Sequence, residues 1–187
     1  MRLSFLLFLV LGTAYAAPKG AQENFTAWTE TSKEAWFGVL KTEKGYEPEA
    51  RLGHYVFEAK AARSVSVPSE LQGREVIALF PIKEGVLVVT QLRVEQGDEP
   101  RVNTYSLKTK KWNDLGKVAC PTPAKISVEK STLKTICDKE GVATTLKLEL
   151  PKVSFDNTAK SERVVGKKSE LNLGSSAQSV KVVPKMF

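Results

Sequence analysis

An all-β fold, an antiparallel meander of repeated hairpins, is predicted by three observations on this 187-residue sequence. Short apolar runs alternate with polar positions, wet corners rich in Gly, Pro, Asp and Lys interrupt them, and one corner phrase recurs along the chain. The clearest instance is Gly85 to Gly116, GVLVVTQLRVEQGDEPRVNTYSLKTKKWNDLG, which reads as an apolar strand, a polar turn, a second strand, a short lysine turn and a third strand carrying Trp112.

The strands follow in order from the same signals. Residues 35–42 (AWFGVLKT) and 52–60 (LGHYVFEAK) are predicted strands joined by a polar segment, and RSVSV from Arg63 is a short strand stopped by Pro68. REVIALFPI from Arg74 to Ile82 is apolar on both parities for much of its length, the pattern of a strand buried on both faces, with Pro81 placing its end at an edge or bulge. Val86 to Val94 follows across Lys83-Glu84-Gly85, and these two adjacent runs are expected to form the centre of the sheet. Residues 125–129, 132–137 and 142–150 complete the strands, the last with Leu146, Leu148 and Leu150 on one face and Lys147 and Glu149 on the other.

Four segments are expected. Met1 to Ala16 combines Arg2, the apolar run LSFLLFLVLG and Ala14-Tyr15-Ala16, which fits a cleaved export signal and places the mature protein in the periplasm or outside the cell. That run is well short of the roughly 20 residues that cross a bilayer, so no transmembrane segment is expected in the mature chain. Residues 17–34 are a polar leader to which an edge strand is open, residues 35–151 are the all-β domain, and residues 152–187 are a polar, basic, mobile tail. Asn24-Phe25-Thr26 is a glycosylation sequon with meaning only in a eukaryotic secretory route.

Cys120 and Cys137 are the chain's two cysteines, and in an exported protein they predict one disulfide. With the single His54 they offer too few ligands for zinc, so no metal site is expected. The formal charge of +7 invites a nucleic-acid reading, but the segment after Pro151 holds seven Lys or Arg against three acids. Most of the excess sits there, where basic residues keep a segment solvated, and no nucleic acid is expected as a partner.

The corner phrase is LKTEKGYEP from Leu40, LRVEQGDEP from Leu92 and, in outline, LKTICDKEG from Leu133, at offsets of 52 and 41 residues. Periods of this size suit four-stranded propeller blades. Tyr105 to Gly116, YSLKTKKWNDLG, resembles the Kelch-type blade phrase, in which an aromatic strand residue, a Thr-containing turn and a Trp recur; the paired glycines of that family are missing here. The resemblance, mainly over residues 85–116, implies a propeller-blade-like array and a protein-binding surface or, less often, a glycan-acting enzyme. The other architectures open to these strands are a small β-sandwich or an open barrel.

No nucleophile elbow, phosphate-cradling glycine loop or HExxH helix is present, and no catalytic residue or cofactor is assigned. His54, in a strand, reads as structural. The acid pairs Asp98 with Glu99 and Asp138 with Glu140 lie in polar turns, where acids are expected because turns are wet. Trp112 reads as structural, and Trp28 and Tyr46 are the candidate partner-binding residues. The expected function is that of an exported, non-enzymatic interaction or structural module with a protein or glycan partner. Its rivals are a carboxylate-dependent hydrolase of envelope polysaccharide or peptide, and binding of an anionic surface by the basic tail.

Overall fold

A computed structural model of the chain describes residues 22–42, 44–46, 49–59, 61–92, 98–121, 123–139, 141–150, 153–155, 160–163, 170–173 and 178–181. The expected export signal and its cleavage site at Ala16 lie outside them. The described chain is all-β, with one 3₁₀ turn at Ser69–Leu71 and no α-helix. No described helix is long and apolar enough to cross a membrane.

Three successive antiparallel meanders make the architecture. Sheet one holds β1 (Gln22–Glu30), β2 (Glu34–Thr42), β3 (Glu49–Val56) and β4 (Ala61–Val65). Sheet two holds β5 (Arg74–Ile82), β6 (Gly85–Leu92), β7 (Arg101–Ser106) and β8 (Trp112–Lys117). Sheet three holds β9 (Pro123–Glu129), β10 (Thr132–Lys139) and β11 (Val142–Glu149). Beyond them β12 (Lys160–Arg163) pairs with β1, and β13 (Glu170–Leu173) pairs with β14 (Gln178–Lys181). Among the described residues no sheet closes into a barrel.

β5 and β6 of sheet two are buried on both faces, as their composition requires, while β8 is partly exposed. Val86 and Val88 of β6 pack with Ala27, Trp36, Leu52 and Val65 of sheet one. Leu87 and Val89, on the opposite parity, pack with Leu133 and Cys137 of sheet three and with Leu150. In β5 the same division runs Val76 and Leu79 to one side and Ile77 and Phe80 to the other. A spacing of three there comes from the bulge between Val76 and Ala78, which inserts one residue into the alternation.

Sheet one also buries a second, outer cluster of Phe25, Ala35, Phe37, Val39 and Tyr55, with Phe25 and Phe37 edge to face at 5.8 Å. Two glycines permit the packing. A Cβ on Gly53 would lie 2.2 Å from the Phe37 ring, and one on Gly38 would lie 2.5 Å from Val76 Cβ, so Gly38 sets how closely sheets one and two approach.

Two segments behave differently from the sequence expectation. Within the expected leader, Gln22–Glu30 form β1, which is flanked by β2 and by β12 instead of standing at an edge. Within the expected tail, Val153 and Phe155 pack on the sheet two and three core, Lys83 N donates to Ser154 O at 3.1 Å, and Lys160–Arg163 add to β1. A polar strand such as KSER is recruited through backbone hydrogen bonds, which hydrophobic alternation does not report.

Gly38→Ala is expected to wedge sheets one and two apart and to cost about 1–3 kcal/mol, the usual range for overpacking. Denaturant unfolding followed by tryptophan fluorescence would read it as a lower midpoint at unchanged slope.

Candidate functional site

The densest polar and aromatic cluster lies where the start of β2 meets sheet two. Glu34 and Trp36 are two apart in a strand and so share a face, and the register sets Trp36 opposite His54 of β3. Trp36 and His54 stack at 4.1 Å with an interplanar angle of 20°. Trp36 meets Tyr105 edge to face at 6.2 Å, and Tyr105 meets Trp112 at 5.2 Å. The Trp112 indole N–H donates to Ser66 O at 2.9 Å, so this Trp ties β8 to the end of β4.

Glu34 organises the cluster electrostatically. His54 Nε2 donates to Glu34 Oε2 at 2.8 Å and Trp36 Nε1 donates to Glu34 Oε1 at 3.1 Å, occupying both carboxylate oxygens. Burial pushes the Glu34 carboxyl up, but the hydrogen bonds from His54 and Trp36, with the attraction of His54, hold it below its ordinary value of 4.5. Trp36, His54 and Tyr105 are buried. The arrangement tethers neighbouring strands through His54 and Trp36.

A second polar knot ties the two ends of the β6–β7 connection together. Buried Arg74 donates to Asp98 Oδ2 at 2.7 Å and Oδ1 at 3.3 Å, to Thr90 Oγ1 at 3.2 Å and to Glu99 O at 3.1 Å. Leu92 N donates to the same Asp98 carboxylate at 2.9 Å. Asp98 is therefore a bidentate partner of arginine, the strongest form of such a contact, and Glu99 contributes a backbone carbonyl. Of the other candidate acid pair, the side chains of Asp138 and Glu140 lie outside the described residues.

Cys120 and Cys137 are paired at disulfide distance with Cα atoms 5.6 Å apart, both buried, joining the chain just after β8 to the end of β10. Tyr46 is 73% exposed at the β2–β3 turn beside Gly45, whose φ of +88° suits glycine. Trp28 is half-buried and packs on the outer cluster of sheet one, because the register sets it opposite Phe37 on that face. The structure thus brings neither candidate to the His54 cluster, which lies on the other face of the sheet. Among the described residues no group of His, Cys, Asp and Glu is placed to hold a metal ion.

Sequence reasoning did not find the Glu34–His54 and Arg74–Asp98 pairs. The i, i+2 spacing of Glu34 and Trp36 was a usable signal, but the partners sit 20 and 24 residues away and depend on register.

Two outcomes follow for solution measurement. A folded-state value below 4.5 for Glu34 means its contribution is fully present above that pH and is lost as pH falls through the folded value. The stability difference between the native protein and Glu34→Gln, measured by urea unfolding across pH 3 to 7, is expected to shrink on the acid side. Reduction of the disulfide is expected to lower stability by about 3 kcal/mol, read in the same assay with and without a thiol reductant.

Compared with protein-family models, curated proteins and solved structures, the chain matches none. The Kelch-type resemblance therefore rests on its residues between Gly85 and Gly116 alone.

Proposed function

We propose that this chain is an exported, non-enzymatic β-sheet protein that serves as an interaction or structural module, engaging a protein or glycan partner through the turns of its repeated hairpins. One observation carries the reading. Among the described residues the large hydrophobic side chains that stand exposed are Tyr46, at 73%, and Val142, at 65%. Tyr46 sits at the turn of β2–β3 and Val142 at the turn of β10–β11, the hairpins that contain the first and third copies of the corner phrase.

An exposed aromatic on a hairpin tip is well suited to anchor a contact. The groups that could have served chemistry point the same way: the Glu34 carboxylate is bonded to His54 and Trp36, and Asp98 to Arg74. The disulfide-distance pair suits a chain that works in an oxidising compartment.

Tyr46→Ala combined with Val142→Ser is expected to abolish retention of the partner in a pull-down from envelope or secreted extract, with the melting temperature unchanged. Equal retention by the native protein and the double variant would remove the hairpin tips from the account.

A further inference from the structure

An outermost strand presents a row of backbone N–H and C=O groups without neighbours, and natural sheets guard such edges with shortness, proline or bulges. Most outer strands here are guarded in that way. β4 has five residues and is followed by Pro68, and β12, β13 and β14 have four residues each. Each of the remaining outer strands of sheets two and three, except β11, carries a bulge in the outer strand itself. The extra residue is Ile77 in β5, Leu115 in β8 and Ala124 in β9, and β5 and β9 also contain Pro81 and Pro123.

β11 has none of these three protections, and its charged side chains, Lys147 and Glu149, stand toward one end of it. It runs eight residues in unbroken register with β10, from Lys139↔Val142 to Thr132↔Glu149, and contains no proline. Leu150 N donates to Ser131 O at 2.7 Å, so the even-numbered residues turn their backbone groups toward β10, and Ala143, Thr145, Lys147 and Glu149 turn theirs outward. The side chains of Val142 to Thr145 are exposed. In sheets one and two the hairpin equivalent to β10–β11 is followed by a fourth strand, β4 or β8, and among the described residues the matching place beside β11 is open.

We propose that β11 is the pairing edge for a second copy of this chain, two β11 strands meeting antiparallel about a two-fold axis to form one continuous six-stranded sheet. A two-fold pairing that keeps both leucine faces on the same side requires residues of like parity to oppose one another. Centring on Lys147 would set lysine against lysine, which is unfavourable. Two registers overlap seven residues, centred on Thr145 or on Leu146. The second places Leu146 on its twin, Leu148 against Thr144, Thr145 against Lys147 and Ala143 against Glu149, so no like charges meet and the half-buried leucines gain apolar cover. Val142, which the hairpin-tip reading also uses, lies at the end of β11 outside the seven paired residues, so a test at residue 145 reads the edge apart from the tip.

Residue 145 tests both the edge and the register, because its side chain is exposed in the single chain and faces Lys147 of the second copy. Sedimentation equilibrium of the purified protein is expected to show a concentration-dependent dimer. Thr145→Lys sets like charges opposite one another twice per dimer and is expected to raise the dimer dissociation constant about tenfold, while Thr145→Glu lowers it. Both variants should melt with the native protein at concentrations where all are monomeric. A protein that stays monomeric throughout, a dimer indifferent to residue 145, or a dimer weakened alike by both variants would overturn the proposal.

Discussion

The constraint on which the structure depends is that β5 and β6 of sheet two must be apolar on both faces. Sheet two is the middle layer, sharing one core with sheet one and another with sheet three and the segment after it. That demand explains why β6 reads Val-Leu-Val-Val without alternation of polarity, and why β5 accepts a bulge rather than a polar residue where its parity shifts. The outer sheets have more freedom. Sheet three presents Lys134, Lys147 and Glu149 away from the core, and Lys134 pairs with Glu129 across β9 and β10.

Legibility of the sequence follows from the same layering. β5, from Arg74 to Ile82, could be read to the residue, because two-sided burial makes a continuous apolar run bounded by turn residues. β11 was readable from the alternation of Leu146, Leu148 and Leu150, which one-sided burial imposes. β12 was not, since its four residues join β1 through the backbone and their side-chain pattern is that of a solvated segment. β3 begins at Glu49, ahead of its apolar stretch, for a related reason: Glu49 and Arg51 bond to each other at 3.0 Å and extend the strand with polar residues. The disulfide needed only a count of two cysteines, whereas the Glu34–His54 contact needed the register of β2 against β3.

The recurring corner phrase has a structural counterpart. Its copies fall in the hairpins β2–β3, β6–β7 and β10–β11, which occupy equivalent places in the three successive meanders. In the first two copies the leading leucine lies at or near the end of a strand, Leu40 in β2 and Leu92 in β6, while Leu133 lies near the start of β10. The third copy is therefore equivalent as a hairpin but displaced within it. Its turn is also tighter, with Lys139 opposite Val142 across the corner, while the second copy is fixed by the Arg74–Asp98 knot at the base of its connection.

The pairing of β1 with β12 bears on how the molecule assembles. Ala27 lies opposite Arg163 and Glu30 opposite Lys160, so two stretches more than a hundred residues apart share one ladder. A nascent polypeptide emerging amino end first can zip β1 to β2 locally and early, yet it must leave the far side of β1 bare until almost the whole chain has been made. Closing so large a loop is entropically slow compared with forming the local meanders. Completion of the first sheet is thus a late event in the life of each molecule, and during synthesis that bare strand is the surface a chaperone would have most reason to shield.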